Sequence, residues 1–179
     1  MKKLFALIAV TSICVSTPSL TAYGQVTKET VPGITNLARV ETTVACAGSV
    51  TSSAIAEIKK MGFASVINVR QPTEPGADIE GATAAAKAAG IKYFNIPFNN
   101  AAMDPAAVTK FLETIQQPGV QPAFIHCGSG NRAAGMWFVK RVLVDKWDLE
   151  RAGTEATALG LTNQALKTFM LNYIETNKK

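Results

Sequence analysis

Within Pro122-Ala-Phe-Ile-His126-Cys127-Gly128-Ser129-Gly130-Asn131-Arg132 a thiol, an imidazole and a guanidinium fall close together around two glycines. Ala123–Ile125 is a short apolar run of the kind that forms a buried strand. Gly128 and Gly130 permit a tight loop, and Arg132 opens an apolar helical stretch through Met136–Val144. A strand that runs through a glycine loop into a helix start aims several backbone N–H groups at one point, where the helix dipole is also positive. Such a point binds an anion, and the same field favours a thiolate at Cys127. Arg132 adds a planar fork of donors suited to two oxygens of a phosphate or a similar oxyanion. One short segment thus offers both a nucleophile and an oxyanion cradle.

His126-Cys-Gly-Ser-Gly-Asn-Arg132 resembles the signature loop of the cysteine-dependent phosphatases, the protein tyrosine and dual-specificity enzymes. Those usually place five residues between Cys and Arg; four stand here, the spacing of a bacterial branch found in β-lactamase hydrolase-like proteins. Rhodanese sulfurtransferases have a loop of the same size. The order "GFASVINVR", an acid- and glycine-containing loop, "GIKYFNIPF", a helix and "PAFIHC" resembles the dual-specificity layout over roughly Thr35 to Tyr173. The resemblance implies that Cys127 attacks phosphorus to form a cysteinyl-phosphate. It also implies that the amides of Gly128, Ser129, Gly130, Asn131 and Arg132, with the Arg132 side chain, hold the equatorial oxygens. His126 then steadies the loop from behind, since neighbouring strand residues point to opposite faces.

The first residues bound where such an enzyme works. Met1-Lys2-Lys3, an apolar run from Leu4 to about Val15 and the small residues Ala22 and Gly24 form the pattern of a secretory leader, residues 1–24, with periplasmic or secreted destination. The apolar run is short for a membrane span, so no stable membrane insertion is expected. Removing the leader takes two lysines and no acids, so the net charge falls from +5 to +3. That balance, without basic runs interleaved with aromatics, argues against nucleic acid as a partner. Cys46 and Cys127 remain, with one histidine, which argues against a zinc site; we expect no metal and no cofactor. By default two cysteines in an oxidising compartment pair. Cys127 is therefore a nucleophile, half of a disulfide, or both in turn.

Several elements must position the loop. Residues 25–34 read as a polar tether, and residues 35–179 as one phosphatase-like domain. Leu37–Val40 and Thr43–Cys46 favour strands at the sheet edge. Ser52 or Ser53 to Met61, closed by Gly62, suits a helix. Phe63–Val69 and Lys92–Ile96 read as buried strands and Ile79–Ala89 as a helix stopped by Gly90. Asp104-Pro105 is a strong helix start, a cap residue followed by proline at the first helical position. Asp148–Leu159 and Thr162–Asn177 close the chain as helices. Alternating strands and helices predict an α/β fold, a mainly parallel central sheet flanked by helices on both faces.

Two departures from the phosphatase pattern bear on mechanism. Where the family has Ser or Thr after the arginine, this chain has Ala133. The family's general-acid aspartate falls at Asn99 or Asn100, and an amide cannot donate a proton as an acid does. Asp104 is the nearest carboxylate, though helix capping explains it more simply; Glu74, Asp78 or Glu80 could serve by analogy. The expected activity is slow hydrolysis of phosphotyrosine or related phosphomonoesters on a protein or small molecule. Alternatives are a rhodanese-type sulfurtransferase and a phosphate-binding pseudophosphatase.

Overall fold

The computed structural model describes residues 24–178. The leader-like segment lies almost wholly outside them. Six strands form one sheet in the order β1-β2-β3-β6-β4-β5: β1 Val26–Val31, β2 Ile34–Val40, β3 Val44–Ala47, β4 Ser65–Asn68, β5 Lys92–Asn95 and β6 Ala123–His126. The four from β3 to β5 run parallel, and β2 and β1 extend the sheet antiparallel. Among the described residues six α-helices accompany them: α1 Ile55–Lys60, α2 Ile79–Ala89, α3 Pro105–Ile115, α4 Asn131–Leu143, α5 Leu149–Leu159 and α6 Gln164–Asn177.

The sheet separates two apolar layers. One gathers Val108 and Phe111 of α3, Trp137 and Val139 of α4, Ala152 of α5 and Met170 of α6 against Cys46, Ile67, Ile125 and Cys127. The other packs Ile55 and Ile58 of α1 and Ala86 of α2 against Ala45, Val66 and Phe124. Strands covered on both faces need apolar side chains in both directions, which is why β6 reads Ala-Phe-Ile without alternation. Phe63 and Phe124 add an edge-to-face contact at 5.5 Å.

Two expectations from the sequence change. Residues 25–34 are not a tether: Val26–Val31 pairs with β2 as the edge strand, so the folded unit begins ahead of Thr35. Its exposed polar residues gave the run the look of a linker, but only one face of an edge strand meets the core here. The Thr43–Cys46 stretch is not at the edge either, since β3 lies between β2 and β6. A strand's place in the sheet depends on partners far away in sequence, and local propensity carries none of that.

Helix ends follow the residues that cap them. Asp78, Asp104, Asp148 and Asn163 each accept a bond from a first-turn amide of α2, α3, α5 and α6. No helix among the described residues is long and apolar enough to cross a membrane.

Candidate active site

β6 is the central strand, with β3 and β4 on either side, and its carboxyl end delivers Cys127 to the crevice where open α/β sheets place ligands. The Cys127 amide donates to Ala47 O at 3.1 Å, extending the β3–β6 pairing one residue past the strand. The chain then turns through Gly128–Gly130 into α4. Gly130 has φ +103°, a left-handed conformation that L side chains rarely adopt, and its amide donates to the Cys127 sulfur at 3.1 Å. The loop is held from outside by Ser49 Oγ donating to Gly128 O and Asn36 Nδ2 donating to Ser129 O.

α4 starts differently from α2, α3, α5 and α6. It has no side-chain cap. The positive end of the helix therefore lacks the side-chain acceptor that those four carry. Asn131, its first residue, turns its side-chain oxygen the other way, accepting from Thr162 N at 2.7 Å and Asn163 N at 2.8 Å. That contact ties the α5–α6 turn to the loop.

Arg132 is 8 % exposed, and its guanidinium is fixed along one edge. Nη1 donates to Phe98 O at 2.8 Å, Val69 O at 3.3 Å and Glu74 Oε1 at 2.5 Å, while Nη2 donates to Glu74 Oε2 at 2.7 Å. A guanidinium has five N–H donors. Nε and the second Nη2 hydrogen take no part in these contacts. Cys127 lies close enough that its charge and a side-chain hydrogen bond help to hold the arginine's proton. Burial alone would lower the Arg132 pKa, but the Glu74 hydrogen bonds and the charges of Cys127 and Glu74 outweigh it, so it ends above its usual value.

Glu74, one of three carboxylates that could serve by analogy as the acid, has another role. Its hydrogen bonds from Arg132 dominate its electrostatics, helped by the Gln71 amide and Arg70, and hold its pKa at about 2 against the opposing effect of burial. A carboxyl ionised across the working pH range cannot act as a general acid, so Glu74 is corrected to an anchor for Arg132. Arg70, 5 % exposed, holds the same loop by donating to Pro75 O and Gly76 O. The signal was present in the sequence as Arg70 and Glu74 four residues apart, but their meeting with Arg132 is tertiary.

The other acid candidates are engaged elsewhere. Asp104 Oδ1 caps α3 through the Ala106 amide, and Asp78 accepts from Ser52 Oγ and the Gly81 amide. Glu80 is exposed in the first turn of α2. The loop at 97–103 adjoins Arg132 through Phe98 O and carries Asn99 and Asn100, with Asn99 Oδ1 bound to the Ala101 amide.

His126 is buried at the end of β6, and neither ring nitrogen has a hydrogen-bond partner of good geometry. Burial, then the positive charge of Arg70, pushes its pKa down to about 4, so the ring is neutral at pH 7. Cys46 lies on β3 opposite Ile125, in the same layer as Cys127, and both thiols are free and buried. Burial, with smaller contributions from Cys127 and Glu155, pushes the Cys46 thiol well above its usual pKa. Among the described residues no group of three His, Cys, Asp or Glu side chains is placed to hold a metal.

Residues 36–144 match the family described as beta-lactamase hydrolase-like protein, phosphatase-like domain. No curated protein matches in sequence. Among solved structures, the DUF442 protein of Shewanella putrefaciens CN-32 superposes with a TM-score of 0.68 at 16% identity, covering 82% of this chain and 96% of its own. P. aeruginosa TpbA gives 0.62 at 19% identity over 88% of this chain and 92% of its own. The core catalytic domain of the PP-IP phosphatase SIW14 from S. cerevisiae gives 0.63 at 19% identity over 80% and 88%. The family match falls on the phosphatase side of the two families that share a four-residue loop.

Two outcomes follow from the electrostatics. His126 has a folded pKa below its unfolded value of 6.5, so its neutral burial stabilises the fold fully above pH 6.5. That contribution declines as pH falls and is gone below about 4; in denaturation series across this window, His126→Gln should flatten the slope. Glu74→Gln should leave the fold intact and reduce kcat/KM on an aryl phosphate by ~10-fold or more, with part of the loss restored in Glu74→Asp. An unchanged kcat/KM would remove Glu74 from the positioning of Arg132.

Proposed function

The chain belongs to the family of phosphatase-like domains of β-lactamase hydrolase-like proteins, and on that footing we propose that it hydrolyses phosphotyrosine or related phosphomonoesters through a cysteinyl-phosphate. The observation that carries this reading is the Arg132 guanidinium, anchored by Glu74 and coupled electrostatically to Cys127, at the uncapped start of α4. A phosphoryl group in that cradle has its equatorial oxygens on loop amides and the guanidinium, and phosphorus in line with sulfur. Phosphoryl transfer needs positioning and charge stabilisation above all. Attack by sulfur breaks the phosphorus–oxygen ester bond, and water then releases phosphate from the cysteine.

What the site lacks shapes the substrate. With Asn99 and Asn100 in the loop beside Arg132, the leaving oxygen departs without a carboxylic acid to protonate it. Phenolates leave readily as anions; alkoxides do not. Ala133 offers the departing sulfur no hydroxyl, which slows the second step. Support for an aryl substrate also comes from TpbA, of which a cysteine-to-serine variant has been crystallised with phosphotyrosine. Cys127 is fully covered, and the Glu74 carboxylate lies 3.8 Å from where a Cβ on Gly128 would stand.

Reduced protein should release phosphate from an aryl phosphate in a vanadate-sensitive way, and Cys127→Ser should abolish it. Arg132→Ala should lower kcat/KM by about 10²–10³-fold, the usual cost of one oxyanion donor. Thermal stabilisation by phosphate with no turnover of any ester would replace this reading with a phosphate-binding pseudophosphatase, which Asn99, Asn100 and Ala133 favour.

The leader-like residues 1–24 support export to the periplasm or beyond. Protein recovered from expressing bacteria should begin at Gln25, and a retained Met1 would sink that proposal.

A further inference from the structure

The signature loop has a second side. Beside it lies a cavity of about 540 Å³ between β1 and the carboxyl end of α5, and Ser129 and Asn131 of the loop form one of its walls. Lys28 of β1 stands in another. Two charged side chains line this space, Lys28 and Glu29, and Glu29 is already matched by Arg39 at 2.6 Å. The Lys28 side chain has no ion pair or hydrogen bond among the described residues. The cavity therefore carries an uncompensated positive charge.

Its polar wall is rich in donors. Because Asn131 Oδ1 accepts from Thr162 N, Thr162 Oγ1 and Asn163 N, the amide orientation is fixed and the Nδ2 hydrogens face away from those contacts. Ser129 uses its backbone oxygen to hold Asn36, leaving its hydroxyl free among the described residues. An ammonium, an amide N–H and a hydroxyl lining one cavity suit an oxyanion. The volume lies within the range of small-molecule sites.

Resting on the phosphatase reading above, we propose that this cavity receives a second phosphate, so that the substrate is a small organic molecule bearing two. One phosphate goes to Cys127 and Arg132, and the other is held by Lys28 with Asn131 Nδ2 and Ser129 Oγ. One residue, Gly128, separates Cys127 from Ser129, so their Cα atoms lie within about 7 Å and a short spacer between the two phosphates suits the site. The same loop thus serves both ends of the substrate: amides and Arg132 for the phosphate that leaves, side chains for the one that stays.

A matched pair on one aromatic ring tests this, since neither member needs a general acid. In wild-type protein, kcat/KM for 1,3-phenylene bisphosphate should exceed that for phenyl phosphate by ~5-fold or more, the scale of one partly screened ion pair. Lys28→Met should bring the ratio close to one, while the charge-matched control Lys87→Met on α2 keeps it. 3-Carboxyphenyl phosphate separates a phosphate site from a general anion site: an equal advantage for the carboxylate overturns the assignment to phosphate. A ratio near one in wild type, or one that Lys28→Met leaves alone, overturns the subsite while the phosphatase reading stands. If phenyl phosphate is not turned over at all, the phosphatase reading fails. Calorimetric titration of Cys127→Ser with the bisphosphate and with phenyl phosphate, with and without Lys28→Met, then still decides the subsite.

Discussion

A single pairing governs the arrangement of this molecule's chemistry: the two-point contact between the Arg132 guanidinium and the Glu74 carboxylate. An arginine at the start of a helix could turn toward solvent, and its side-chain entropy would favour doing so. Here Glu74 and the carbonyls of Val69 and Phe98 take one edge of the fork. Cys127 acts on the same guanidinium through its charge. The contact joins three segments, the turn after β4, the loop after β5 and the loop after β6, so the catalytic crevice and the sheet order are one structural fact.

That order puts β6 in the middle. Its neighbours β3 and β4 are formed from chain far upstream, and each continues into a loop at the same end of the sheet. Thr35, Asn36 and Ser49 come from the β2 and β3 side, and Arg70 and Glu74 from the β4 side. The antiparallel pair β1–β2 widens the sheet beyond the parallel core and builds the second wall of the cavity beside Ser129. An edge strand that contributes few apolar side chains to the core is free to carry polar ones, and Lys28 is the one that matters.

The acidic residues show how environment sets a role. Asp104 and Asp78 cap helices, and Glu74 is ionised by its arginines, so none stands as a proton donor. His126 is neutral because burial strips the water that would support its charge. The site consists of fixed positive charge, a sulfur and no acid, a combination that stabilises a dianion better than it assists a poor leaving group.

Much of this was legible in the sequence because it is local. The strand–glycine–helix pattern around Cys127, the Asp104-Pro105 helix start, the α2 span with its Gly90 stop, and the alternation that implies a parallel sheet all depend on residues within a few positions of one another. Distance in sequence hid the rest. Residues 25–34 look like a linker until β2 supplies their hydrogen bonds, and β3 looks like an edge until β6 arrives from nearly eighty residues away. Glu74 looks like a spare acid until Arg132 ionises it. Periodicity and capping are properties of one segment, so sequence alone determines them; strand order and the ionisation of a carboxylate depend on which distant groups come to lie beside it, and only the tertiary structure decides that.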